Sequence, residues 1–172
     1  MIETEDLSKE INDNKKIEIL RKNWMSHDAR AQMAVVQEFG WEMGNKINKN
    51  VMRDIGRTMM YRFMNAVGVK KVHNISDFLT ICMSAMKFYY PPPHMNYEFD
   101  IISKNEVLGT VKQCAAIQQV KKLGVTNSYE CGCFAMRFGW YKALGIKANE
   151  NCLSCIKDGD SNCKISIKIK KW

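Results

Sequence analysis

The chain has 172 residues, 46% hydrophobic and 26% charged, a balance that argues against wholesale disorder and leaves room for one sizeable core. No apolar run approaches the length of a membrane span. The formal net charge is +8, yet the lysines are spread along the chain and no basic run alternates with aromatics. A solvated basic surface is therefore expected, and nucleic acid is not the expected partner.

The first thirteen residues are polar and acidic and lack the basic and apolar regions of a signal peptide, so a cytoplasmic protein is expected. Ile17, Leu20 and Trp24 predict a helix over about 15–25. Ser26-His27-Asp28 should interrupt it, with Ser26 as the cap of a second helix over 29–39. Gly40 and Gly44 should soften or break that helix. From Met43 an apolar ladder repeats every four residues through Ile47, Val51, Ile55, Met59 and Phe63 to Val67, predicting a long helix stopped at Gly68. A further helix is expected over 76–88, ended by Pro91-Pro92-Pro93.

Beyond the prolines the period changes. Tyr97, Phe99 and Ile101 alternate with polar residues and predict a strand over 95–103, returning as a second strand over 106–113. Short helices are expected over 115–122 and 134–144, stopped near Gly124 and at Gly145. The tail 163–169 alternates Ile165, Ile167 and Ile169 with Lys164, Ser166 and Lys168, the pattern of a half-buried strand. The fold class is α+β: a helical region over 1–90 packed on an antiparallel sheet with two or three short helices over 91–172, together one compact domain. The Met-rich helical stripe suits packing within the monomer or across a homodimer.

Six of the seven cysteines lie in the last third. In a reducing compartment such clusters are ligands or reactive thiols more often than disulfides. The set Cys133-x18-Cys152-x2-Cys155-x7-Cys163, with Cys131 able to replace Cys133, has the character of a four-thiolate site. Zinc and an iron–sulfur cluster both suit such a set, and spacing does not separate them. The competing readings are ordinary burial, which fits Cys82 well, and a redox thiol pair. A second candidate constellation is catalytic. His27 would move protons, Asp28 would orient it, and Cys114 at a strand end would gain thiolate character from the following helix.

The order Trp24-x-x-His27-Asp28, Glu38-Phe39-Gly40, Cys114 with Gln118 and Lys121-Lys122, Cys131/Cys133, Cys152-x2-Cys155 and Cys163 resembles an uncharacterised prokaryotic family. That family is related to L-2-amino-thiazoline-4-carboxylic acid hydrolase-like proteins. The match departs from the family pattern at Ile156-Lys157, where prolines are usual, at Ile165 and at Ala115. The second half also resembles the small-ligand-binding module of vinyl reductase proteins. These resemblances imply either a small-molecule-binding module carrying a metal or cluster, or a hydrolase of a small sulfur- or nitrogen-containing ring compound. The first is expected, because its residues need fewer assumptions.

Overall fold

The computed structural model describes residues 7–172, so the first six residues of the expected polar lead-in lie outside it. The chain divides into two compact units, one ending at Gly44 and the other spanning Asn45–Trp172. The first unit is helical. A 3-10 turn, Leu7–Glu10, precedes α1 (Asp13–Val67), which crosses the unit boundary. Asn12 starts α1 by accepting the Lys15 backbone N–H at 2.9 Å.

The expected interruption at Ser26–Asp28 does not occur. Ser26 Oγ accepts from Arg30 one turn on instead of capping a helix, and three residues of middling propensity cost only tenths of a kcal/mol each, roughly, against an established helix. The break falls at Gly40, whose φ of 78° and ψ of 171° suit glycine alone. Gly44 stays helical and is covered by Val36, one of the buried side chains of this unit.

The second unit carries the sheet and the main core. The remainder of α1 stops at Gly68 (φ 72°). Next comes α2 (Ile75–Tyr89), capped reciprocally: Asn74 accepts the Asp77 N–H at 2.9 Å, and Asp77 accepts the His73 N–H at 3.0 Å. Past the prolines follow β1 (Met95–Ser103), β2 (Glu106–Cys114), α3 (Ala115–Lys122), α4 (Cys133–Leu144), β3 (Lys147–Ser154) and β4 (Cys163–Lys171). The sheet is antiparallel with order β1-β2-β4-β3. The α+β expectation and its helix and strand assignments past residue 90 therefore hold, with β3 added. Its alternation is weak: only Ala148, Glu150 and Ser154 are partly sheltered.

The four-residue ladder in α1 does not form one face. Four residues turn a helix by 400°, so each step drifts 40° and the stripe winds away from the core. Met59 and Phe63 are buried, whereas Ile47, Val51 and Val67 are exposed. The buried stripe runs through Gly56, Met59, Met60, Phe63 and Met64, the three-and-four spacing of an amphipathic helix. It meets Phe78, Ile81 and Met86 of α2, Trp140 and Leu144 of α4, and Val107, Ile165, Ile167 and Ile169 of the sheet.

Helices α1 and α4 touch backbone to backbone. A methyl group on Gly139 would lie 2.6 Å from the Arg57 amide nitrogen and overlap the Arg53 carbonyl oxygen. One on Gly56 would lie 3.0 Å from Met136 Cα and overlap that residue's carbonyl oxygen. In an open helix Gly→Ala stabilises by about 1 kcal/mol. At Gly139 the clash is with backbone that cannot rotate aside, so the sign reverses. Gly139→Ala should cost about 1–3 kcal/mol, read as a lowered urea midpoint. An unchanged or raised midpoint would contradict the contact.

Candidate functional site

A narrow cavity lies in the second unit between α4, the end of α2 and the inner face of the sheet. Its volume is about 90 Å³, against about 480 Å³ for a groove beside Lys70 and Lys71, so the space is thin. Its walls are almost wholly apolar, built from residues such as Phe99, Val111, Ile117, Met136, Trp140 and Ile165. Gly109 contributes by lacking a side chain: the Phe99 ring lies across it, 3.1 Å from where a Cβ would stand.

Strand register and helix spacing bring the cysteines to this cavity. Val111 pairs with Cys163, and Ile165 pairs with both Gly109 and Cys152, so Cys163 and Cys152 share the inner face with Ile165. Cys114 ends β2, while Cys131 and Cys133 flank Gly132 at the start of α4. Cys155 opens the turn back to β4, where Asp160 accepts its N–H at 2.7 Å. All six line the cavity. Cys82 does not; it is buried in the core on α2, as the burial reading expected.

Two close thiol pairs result. Cys131 Sγ lies 3.1 Å from Cys133 Sγ, and Cys163 Sγ lies 3.9 Å from Cys155 Sγ. Cys163 also accepts the Ile156 backbone N–H at 3.2 Å. Among the described residues, no group of three or more His, Cys, Asp or Glu side chains is arranged to hold a metal ion. The expected ligands are thus neighbours around one cavity without forming a closed coordination shell.

Electrostatics single out Cys133. The S–H of Cys131 donates to it, and the Arg137 guanidinium one helical turn on adds positive charge, so its pKa falls below the ordinary thiol range despite burial. Cys131, as donor to that thiolate and itself buried, is held protonated. Burial raises Cys114 and Cys152 and pushes Cys163 up to about 12. The Ile117 and Ala116 amides at the start of α3 favour the Cys114 thiolate, but burial outweighs them.

His27 and Asp28 lie in the first unit and Cys114 in the second. His27 is exposed, with its Nδ1 3.6 Å from Asp28 Oδ1.

Four further residues build the site and escaped the sequence reading. Arg137 grips Glu150 of β3 with two hydrogen bonds, Nε to Oε1 at 2.6 Å and a second guanidinium nitrogen to Oε2 at 2.8 Å. The Tyr141 hydroxyl donates to the same carboxylate. The guanidinium also lies 4.6 Å from the Phe134 ring centre. Buried Asn45 donates to the Ser128 carbonyl at 2.7 Å and accepts the Glu130 N–H at 3.0 Å, fixing the loop that leads into Cys131. The signal for Arg137 was its place four residues after Cys133, which sets both on one helix face. The signal for Glu150 was a carboxylate two residues from Ala148 and Cys152 in an alternating segment.

No protein-family model matches the chain, nor does any curated protein. Its fold is similar to the crystal structure of a trafficking protein particle complex subunit 3 from Naegleria fowleri covalently bound to palmitic acid. The TM-score is 0.64 at 13% identity, and the match covers 90% of this chain and 98% of that one. At that identity the likeness defines a shared fold. Among the described residues, no helix is long and apolar enough to cross a membrane.

Two outcomes are expected of this site. Glu150 is almost fully buried, with 1% of its side chain exposed. Glu150→Ala strands the Arg137 charge, which should lower stability by about 3–5 kcal/mol in urea unfolding. Adding Arg137→Met should restore part of it. Second, in chelator-treated protein the alkylation of Cys133 by iodoacetamide should level off near neutral pH, since its thiolate is already formed. Cys114 and Cys163 should still gain rate through pH 9, because their raised pKa values keep them protonated until then. Peptide mass spectrometry separates the sites.

Proposed function

We propose that this chain is a ligand-binding α+β module. The thin cavity of its second unit takes a slender apolar molecule, and the thiols on the cavity wall hold a soft metal ion beside it. One observation carries the reading: six of the seven cysteines, from five separate segments, converge on one apolar cavity. Ordinary burial does not demand such convergence, since Cys82 is buried well away from it.

The donor set fits the metal. Thiolates are soft ligands suited to zinc or an iron–sulfur cluster. Cys133 already carries thiolate character, and an amide N–H points at Cys163 Sγ, the kind of outer-shell hydrogen bond that tunes a thiolate ligand. Cys133, Cys152, Cys155 and Cys163 would bind, with Cys131 in reserve, and the two thiol pairs would have to close on one ion. Metal binding would release the protons that burial favours on Cys152 and Cys163. The shape of the cavity supports the apolar ligand, because a space this thin suits an extended chain better than a broad ring system. The palmitic acid on the Naegleria subunit of the same fold agrees with such an occupant. The hydrolase reading gains no comparable support, since burial works against the Cys114 nucleophile.

The test is the metal content and visible spectrum of protein purified without oxygen. About one equivalent of zinc without colour, or iron with sulfide and a brown absorbance, is expected. Cys155→Ala should lose most of the metal and melt at a lower temperature. Metal-free protein in which all seven thiols titrate as free would overturn the metal half of the reading.

A further inference from the structure

Residues two apart on a helix do not face each other. Cys131 and Cys133 nevertheless hold their sulfurs 3.1 Å apart. The helix begins only at Cys133, with Gly132 as its cap, so the loop before it decides where Cys131 stands. One face of α1 fixes that loop. Asn45 bonds the Ser128 carbonyl and the Glu130 N–H, and Lys49 one turn on pairs with the Glu130 carboxylate. Gly132 seats on the same face: a Cβ on it would lie 2.7 Å from Met52 Cγ and 3.2 Å from Asn48 Nδ2. Asn45, Asn48, Lys49 and Met52 fall at i, i+3, i+4 and i+7, one stripe of the helix.

That stripe brings two sulfurs together, yet the metal reading uses only one of them. A four-thiolate site takes Cys133 and leaves Cys131 aside, so metal binding alone does not account for their contact. The other close pair differs. Cys155 and Cys163 have their sulfurs 3.9 Å apart, and Cys163 Sγ is already engaged by the Ile156 N–H. A disulfide holds its sulfurs about 2.05 Å apart, so the first pair is about 1 Å from bonding and the second nearly twice as far.

We propose that Cys131 and Cys133 are a redox-active dithiol, oxidised to an internal disulfide by exchange with a low-molecular-weight disulfide, and that oxidation withdraws the metal site. The exchange stands on the geometry of the pair, and the withdrawal rests on the metal reading. One sulfur of the pair, as thiolate, attacks the small disulfide RS–SR and expels RS⁻, leaving a mixed disulfide. The second sulfur attacks the protein sulfur of that bond and expels the other RS⁻. The two thiol protons end on the leaving groups as RSH, so the protein loses two electrons and the small disulfide gains them. Both cysteines are partly exposed, which gives a small disulfide an edge to reach. Only a thiolate ligates, so the disulfide takes away Cys133 and its substitute Cys131 together.

The experiment treats reduced, chelator-treated protein with 2-hydroxyethyl disulfide, blocks remaining thiols with iodoacetamide and maps tryptic peptides without reduction. Both cysteines fall in the single tryptic peptide 123–137. It should emerge lighter than its dithiol form by the mass of H₂, carrying neither reagent. In Cys131→Ser the mixed disulfide on Cys133 should persist, because nothing displaces it. Two free thiols, a lasting mixed disulfide in the unaltered peptide, or closure of Cys155 onto Cys163 first would overturn the pair. Zinc tests the withdrawal: reduced protein should bind it more tightly than oxidised protein by at least the roughly tenfold that losing an outer-shell partner costs. If the disulfide forms and both forms bind zinc equally, the withdrawal is overturned and the dithiol stands. If reduced protein binds no zinc, the metal reading fails and takes the withdrawal with it, while the peptide result still decides the dithiol.

Discussion

Everything at the candidate site depends on how closely α4 lies against α1. Gly56 and Gly139 face backbone rather than side chains, so the two helices meet without an intervening layer. That closeness holds α4 at a fixed height over the sheet. Helix packing at ordinary separation would place the Cys133–Trp140 face farther from β4 and widen the cavity. The thinness of the cavity and the nearness of the thiols thus share one cause, the absence of two β-carbons.

A second constraint ties the other side of α4 to the sheet. The Arg137–Glu150 pair spans from helix to β3 with both oxygens engaged, and Tyr141 adds a third bond to the same carboxylate. A buried pair of this kind is weak evidence for net stability, because desolvation offsets the attraction. What it supplies is direction. An apolar pair of equal volume would tolerate sliding of α4 along the strand, whereas a two-pronged salt bridge does not. With Asn45 holding the incoming loop, the start of α4 is fixed from three sides.

The sequence exposed some of this and hid the rest for physical reasons. Alternation in 95–103 and 163–169, and the glycine stops at Gly68 and Gly145, depend on local backbone and solvation, and the elements they predict are present. The run Ser26-His27-Asp28 misled because a capping residue is also tolerated inside a helix, and only tertiary context decides. The ladder from Met43 misled because a period of four differs from 3.6 by enough to leave the core within three turns. Glycines in close helix contact carry no distinguishing local signal, since a helical glycine reads as a weak point whatever it faces. The cysteine cluster was visible from spacing, and six of the seven cysteines do gather on one cavity. Its counter-ion Arg137 was not, because a lysine- and arginine-rich chain offers many cations and the sequence does not say which is buried.

Arg137 explains the unequal thiols. Arg137 is shared between the Glu150 carboxylate and Cys133, so its charge is already spent on two anions. Lys157, also near the cluster, is paired with Asp158 at 2.6 Å. A second thiolate would therefore meet like charge from Cys133 and the cost of burial together, and this is why Cys131, Cys114 and Cys163 are pushed upward while Cys133 alone is pulled down. On the proposed reading, a soft cation would supply the positive charge that further ionisation requires. The burial that raises Cys114, Cys131 and Cys163 also leaves the cavity wall apolar, so both follow from one arrangement of the chain.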